Sequence, residues 1–178
     1  MGLGCMSSFY NWLGRPYYKD FSVGYLLLNW IVQRVFRVNA EVPFSVHFTN
    51  KISGWKNCRF EDNSVNVNLC ASGGAYIAVF DGTTLEVGKG TIWACNICIQ
   101  TANHKPGLLS QYEKASVKIG RNCWLGNGVV VTAGVTLGDN VVVGANAVVT
   151  RSFPDNVVIA GVPAKVIRVI GEKLDNAG

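Results

Sequence analysis

Residues 119–154 read, in sixes, IGRNCW, LGNGVV, VTAGVT, LGDNVV, VGANAV, VTRSFP. The first place of each six is branched and apolar: Ile119, Leu125, Val131, Leu137, Val143, Val149. The fourth is Asn122, Gly128, Gly134, Asn140, Asn146 and then Ser152. Asn and Gly tolerate positive φ, so each of the first five hexads can turn a corner there. The second place is usually Gly, and the fifth is small or β-branched: Cys123, Val129, Val135, Val141, Ala147. One short strand and one corner, repeated, predict a parallel β-helix of hexapeptide repeats, a mainly β fold. Neither a helical period nor a two-residue alternation would put corners at every sixth position. Three strands per coil make a triangular prism in which residues eighteen apart stack. Val131 is then expected over Val149, Ile119 under Leu137, and Asn140 and Asn146 at corners with positive φ.

Working outward, VGKGTI, WACNIC and IQTANH (87–104) supply a further coil. Residues 46–86 read as degraded coils that keep Gly at corners in ASGGAY and FDGTT but lose strict register. About five coils at strand spacing give a prism roughly 24 Å tall. The stretch QTANHKPGLLSQYEK (100–114) interrupts the rhythm directly after His104, one of two histidines in 178 residues. The expected organisation is a partly helical segment over 1–45, then a β-helix domain over 46–178 with an extruded loop at 105–118 and a C-terminal tail. Spacing leaves the hand of the coil open, although right-handed crossovers are the general rule for parallel strands.

Apolar residues make up 49% of the chain and charged residues 15%, with a net charge of +5. So modest a charge, without aromatic and basic residues interleaved, excludes nucleic acid as the expected partner. Cysteines 5, 58, 70, 95, 98 and 123 form no disulfide framework and read as reduced thiols of a cytoplasmic protein. Cys95 and Cys98 lie inside the repeat, where small residues are wanted, and no further zinc ligands are suitably spaced. MGLGCM does not fit an N-myristoylation signal, because Met6 stands where Ser or Thr is required. SVGYLLLNWIVQRVF (22–36) carries Gln33 and Arg34, with Arg37 just beyond, and falls short of a spanning helix. It reads as a helix packed on the main domain; Trp30, Arg34 and Arg37 also suit an amphipathic helix lying on a membrane surface or a partner subunit, so 22–37 could hold the protein peripherally at the inner membrane face.

The run WLGNGVVVTAGVTLGDNVVVGANAVVTRSFPDNVVIAGVPAKVIR (124–168) resembles the hexapeptide acyltransferases, and among them the sugar O-acetyltransferases related to galactoside and maltose acetyltransferases. VPFSVHFTNKI (42–52) is similar to the branch associated with capsular and other surface polysaccharides. The resemblance covers roughly residues 40–170. It implies a left-handed β-helix, a homotrimer, acetyl-CoA lying between neighbouring prisms, and a loop that leaves the prism just after the catalytic histidine and helps to cover the acceptor. By position it makes His104 the general base. It sets Trp124 at the border of the acceptor and pantetheine cleft, and the Asn127 N–H toward the thioester carbonyl. Ala145 and Thr150 fall along the pantetheine and nucleotide, and Arg151, Lys165 and Arg168 near the CoA phosphates. Where galactoside-type members carry an acceptor-binding Asn, this chain has Tyr76, and Asp81 and Glu86 nearby are further acceptor-site candidates.

The chemistry is consistent with that assignment. A sugar hydroxyl is a poor nucleophile at neutral pH, a thioester is a good acyl donor, and imidazole is the side chain suited to move the proton between them. No Ser-His-Asp or Cys-His pairing is evident, so direct transfer is favoured over an acyl-enzyme. His47, within the apolar FSVHF, reads as a core or subunit-contact residue. No metal is expected, since a hydratase of the γ-carbonic anhydrase type needs three histidine ligands and the chain has two histidines. The reading is transfer of acetyl to a sugar or surface-polysaccharide precursor. The alternatives are a small acceptor such as serine or an antibiotic, and a non-catalytic scaffold.

Overall fold

Strands of two or three residues gain their hydrogen-bond partners from the coils above and below, not from their neighbours in sequence. The computed structural model, which describes residues 16–171, stacks them into three parallel sheets that form the faces of a prism. Face A holds Lys51–Ser53, Tyr76–Ala78, Cys98–Gln100, Val130–Val131 and Val148–Val149. Face B holds Cys58–Phe60, Leu85–Val87, Val117–Ile119 and Thr136–Leu137, and Phe153 bridges to Leu137 at its end. Face C holds Ile92–Trp93, Trp124–Leu125, Val142–Val143 and Val157–Gly161, and Ala164–Val169 returns antiparallel along the last of these.

The chain visits faces A, B and C in turn, so the expected stacks appear: Val131 pairs with Val149 and Ile119 with Leu137. First-place and fifth-place residues of the repeat fill the core, from Leu125 and Val143 to Cys123 and Ala147. Asn122, Asn140 and Asn146 sit at φ between 53° and 57°, and Gly128 and Gly134 at 71° and 84°, as the corners require. The second-place glycines answer to close approach. A Cβ on Gly120 would lie 2.3 Å from the Gly138 carbonyl oxygen of the next coil, which only backbone movement could relieve.

Carboxylates finish the edge between faces B and C. Asp155 Oδ1 accepts from the Asp139 N–H at 2.8 Å, Asp139 Oδ1 from the Arg121 N–H at 2.6 Å, and Glu61 Oε2 from the Lys89 N–H at 3.0 Å. Each coil thus covers amides that the next cannot pair. The Arg121 guanidinium donates to both Glu61 oxygens, at 2.8 and 3.0 Å. That pairing, aided by the Lys89 amide, holds the Glu61 carboxyl down at about 2.

The residues before 87 depart from plain coils. Helix α2 (Ser64–Ala71) stands where the first coil would have its face C strand, beside Ile92–Trp93. Its Asn68 side chain accepts from the Trp93 N–H, while Val65 and Leu69 cap the open end of the core. A stack of coils exposes its interior at each end, and a helix with apolar residues four apart closes it. Helix α1 (Val23–Trp30) continues into a π-helical turn, Ile31–Val35, and lies on the segment 39–48. No described helix is long and apolar enough to cross a membrane. The MGLGCM stretch and Cys5 lie outside the described residues.

Candidate active site at the prism edges

Between Gln100 on face A and Val117 on face B the chain leaves the prism as a β-hairpin. Ala102–Lys105 pairs antiparallel with Leu108–Lys114, and Gly107, at φ 78°, turns the tip. The excursion starts before His104, so the histidine stands on the hairpin's outgoing strand. The base is anchored by buried threonines: Thr101 Oγ1 accepts from the Phe80 N–H at 2.9 Å and bonds Thr83 Oγ1 at 2.6 Å. KPG followed by the strand-like LLSQYEK is a hairpin signal in the sequence.

His104 is exposed and faces Tyr112 across the hairpin, with ring centroids 4.6 Å apart. Its Nδ1 lies 2.7 Å from the Leu109 carbonyl oxygen. A carbonyl can only accept, so Nδ1 carries a proton, and in the neutral ring Nε2 presents a lone pair. Tyr112 in turn packs on Phe80 at 5.3 Å. Leu109, Tyr112 and Phe80 position the imidazole and were missed from sequence, because they act through a hairpin pairing and a corner contact that spacing alone does not supply.

The other sequence candidates divide among the edges. Asp81 shares the A–B edge with the hairpin, and Lys114 Nζ donates to its carbonyl at 3.4 Å. Thr150 and Arg151 follow the face A strand Val148–Val149 and lie on that edge in the last coil, with the Arg151 guanidinium 5.3 Å over the Phe153 ring. Trp124, Asn127 and Ala145 belong elsewhere. Trp124 is 40% exposed on face C. Asn127 and Ala145 are exposed at successive C–A corners, where the Asn146 N–H donates to the Asn127 carbonyl at 2.7 Å. Tyr76 projects from face A in register with Cys98. Glu86 sits mid-face B between Arg59 and Lys118, not beside the hairpin. Lys165 and Arg168 are exposed on the returning strand at the C-terminal end.

His47 has a structural setting. Its Nδ1 accepts from the Thr49 N–H at 3.1 Å, its ring stacks on Phe48 and meets Tyr25 edge-on, and burial lowers its pKa.

The repeat matches the bacterial transferase hexapeptide family (six repeats) over residues 116–151. A galactoside O-acetyltransferase of Lactococcus lactis subsp. lactis (strain IL1403) is 42% identical over 136 residues, covering 73% of this chain and 59% of the relative. A putative colanic acid biosynthesis acetyltransferase, WcaF, of Escherichia coli (strain K12) is 54% identical over 104 residues, covering 53% of this chain and 56% of the relative. The solved galactoside acetyltransferase in complex with coenzyme A aligns with a TM-score of 0.51 at 25% identity, over 85% of this chain and 84% of that one. The chain spans about half to three fifths of the length of the curated relatives it matches. Repeat, sheet order and sequence likeness together show a left-handed β-helix of hexapeptide repeats, similar to the acetyltransferases of that fold and among them to galactoside O-acetyltransferases.

Proposed function

We propose that this chain is an O-acetyltransferase that moves an acetyl group from acetyl-CoA to a hydroxyl of a sugar or surface-polysaccharide precursor, with His104 as general base. The observation that carries the reading is the 2.7 Å contact between His104 Nδ1 and the Leu109 carbonyl. It fixes the tautomer, so that Nε2 is free to accept the proton of the acceptor hydroxyl as its oxygen attacks the thioester carbonyl. The tetrahedral intermediate places negative charge on the former carbonyl oxygen, where a backbone N–H such as that of Asn127 stabilises it. The C–S bond then breaks, and the imidazolium returns its proton to the departing CoA thiolate. The bound coenzyme A of the galactoside acetyltransferase and the biosynthetic names of the relatives support donor and acceptor class. Exposed Arg151, Lys165 and Arg168, toward the C-terminal end of the prism, suit the anionic phosphates of CoA.

His104 leaves the third coil at the A–B edge, and Asn127 turns its C–A corner. Two edges of one triangular prism face different directions, so a site that uses both residues draws them from two copies, which supports a homotrimer with sites between subunits. Tyr76 and Asp81 are the acceptor contacts this reading favours, with Glu86 farther off on face B. His104→Ala is the test. Acetyl transfer to a panel of sugar acceptors should fall by about 10² or more while acetyl-CoA binding persists. Activity within about threefold of the parent would overturn the assignment.

A further inference from the structure

A helix on a water-soluble domain ordinarily turns its apolar stripe inward. Helix α1 does so only in part, with Tyr25 and Leu26 packed beside Tyr18 and Cys70. Its fully buried side chains are polar: Asn29, and Gln33 one turn on. Gln33 Nε2 donates to the Val42 and Phe44 carbonyls at 2.8 and 2.9 Å, and its Oε1 accepts from the Val46 N–H at 3.3 Å. Asn29 Oδ1 accepts from the Phe48 N–H at 3.1 Å. These bonds satisfy the irregular backbone of 42–48, which lies outside any sheet, and so fix which way the helix faces. The outward side is left to Leu27, Leu28, Trp30, Val35 and Phe36, exposed by 54, 43, 54, 61 and 70%. Large apolar side chains grouped in this way on a surface mark a contact.

The charges around the group indicate what covers it. From Phe21 to Ala40 there is no acidic residue, while Arg34 and Arg37 stand at its C-terminal end and Lys19 precedes it; Asp20 and Glu41 lie just outside. The Arg34 guanidinium donates to the Ala40 and Val42 carbonyls, which ties that charge to the segment following the helix. A two-fold contact of this face with its copy would set two basic patches together, which like-charge repulsion disfavours. An anionic lipid surface attracts them, and Trp and Phe beside Arg suit the boundary between headgroup and acyl chain. Helix and turn together hold 8 and 5 residues, roughly 20 Å at 1.5 Å per residue, so they can lie on a bilayer but not span it.

We propose that the outward face of residues 23–38 seats the protein on an anionic bilayer surface. The inference does not depend on the acetyl-transfer reading, and its test measures no activity. The full chain is sedimented with vesicles of phosphatidylcholine alone and with vesicles containing about 30% phosphatidylserine. The parent should partition onto the anionic vesicles at least about tenfold more strongly than onto the neutral ones, and less so as salt is raised. The double variant Leu27→Ser, Phe36→Ser should lose about tenfold or more in partition with its circular dichroism unchanged. Arg37→Gln should weaken binding to the anionic vesicles alone. Three results overturn the proposal: a parent that does not sediment, a double variant that binds as the parent does, or a double variant that changes oligomeric state instead. The last would assign the face to further copies of the chain.

Discussion

Asn140 offers a quantitative test of the corner geometry. It holds φ 57°, its N–H donates to the Arg121 carbonyl at 2.8 Å, and its Nδ2 donates to Asn156 Oδ1 at 3.0 Å in the next coil. Asn140→Gly removes the exposed side-chain bond, at a cost of about 0.5–1 kcal/mol, and gives the unfolded chain more freedom, at a similar cost. Against these stands relief of the left-handed conformation, worth about 1 kcal/mol. The Gly variant should therefore remain within about 1 kcal/mol of the parent. Asn140→Val loses the same bond and forces a β-branched residue into positive φ, an added cost of about 1–3 kcal/mol. A gap of about 2 kcal/mol between the variants corresponds to roughly 4–8 °C in Tm for a chain of this size. Thr136→Val is the control, since an outward strand position accepts a β-branched residue and should move stability by no more than about 0.5 kcal/mol. All four proteins are melted by circular dichroism at one protein concentration, which holds any assembly equilibrium constant. If the Val and Gly variants of Asn140 melt within a degree or so of each other, the link between positive φ and the fourth place of the hexad is wrong.

Gly120→Ala should destabilise by about 2–3 kcal/mol, because its Cβ would meet the Gly138 backbone. Gly24→Ala, in α1 with nothing within 4 Å of the added Cβ, should instead stabilise by about 0.5–1 kcal/mol in the same melts. Arg151→Ala, Lys165→Ala and Arg168→Ala should each raise KM for acetyl-CoA more than they lower kcat; a fall in kcat at constant KM for all three would reject the phosphate assignment. Glu61 has its pKa held at about 2, below an unfolded value of about 4.3, so its contribution is complete above about pH 4.5 and is lost as pH falls toward 2. Melts from pH 6 down to about 2.5 should show the parent losing stability faster than Glu61→Gln below about 4.5, and parallel curves would reject the Arg121 clamp.

What could be read from the sequence follows from which interactions repeat. The stack of Val131 on Val149, the inward first and fifth places and the positive-φ corners recur with period six, so each is supported by several independent positions. Features that occur once were harder to read. Helix α2 takes the place of a strand because the open end of the core needs a cap, a requirement of the whole stack that leaves no period in the sequence. The inward turn of Asn29 and Gln33 depends on the Val42, Phe44, Val46 and Phe48 backbone groups, which no sheet takes up, and nothing in SVGYLLLNWIVQRVF marks that need. In the candidate site, His104 is singled out by the break in the repeat directly after it and by the family resemblance, whereas the Leu109 carbonyl and Tyr112 contact it through a hairpin whose register is set only on folding. Glu86 was grouped with Asp81 by nearness in sequence, but five residues carry the chain round a corner from the A–B edge onto face B.

The same repeat explains why the proposed base stands off the prism. Inward places must be apolar to fill the core, and the glycine and asparagine corners are held by φ and by coils in close contact. Corner places such as Arg121 and Asp139 and the outward face places remain for a polar group within the coils, and on the faces the backbone N–H and C=O groups are engaged in the parallel ladders. An imidazole at such a place would have to share a carbonyl already engaged in a ladder, as the Thr132 hydroxyl shares that of Val149. The hairpin supplies one outside those ladders, because its bulge between His104 and Lys105 leaves the Leu109 carbonyl toward His104 Nδ1. Departure from the hexad is thus what gives the proposed base a carbonyl partner of its own. A deletion that joined Thr101 to Ala115 would restore a continuous coil while removing His104, Leu109 and Tyr112 together. Such a chain should keep the circular dichroism of a β-helix and lose acetyl transfer, and a deletion that kept the transfer would refute the placement of the base on the hairpin.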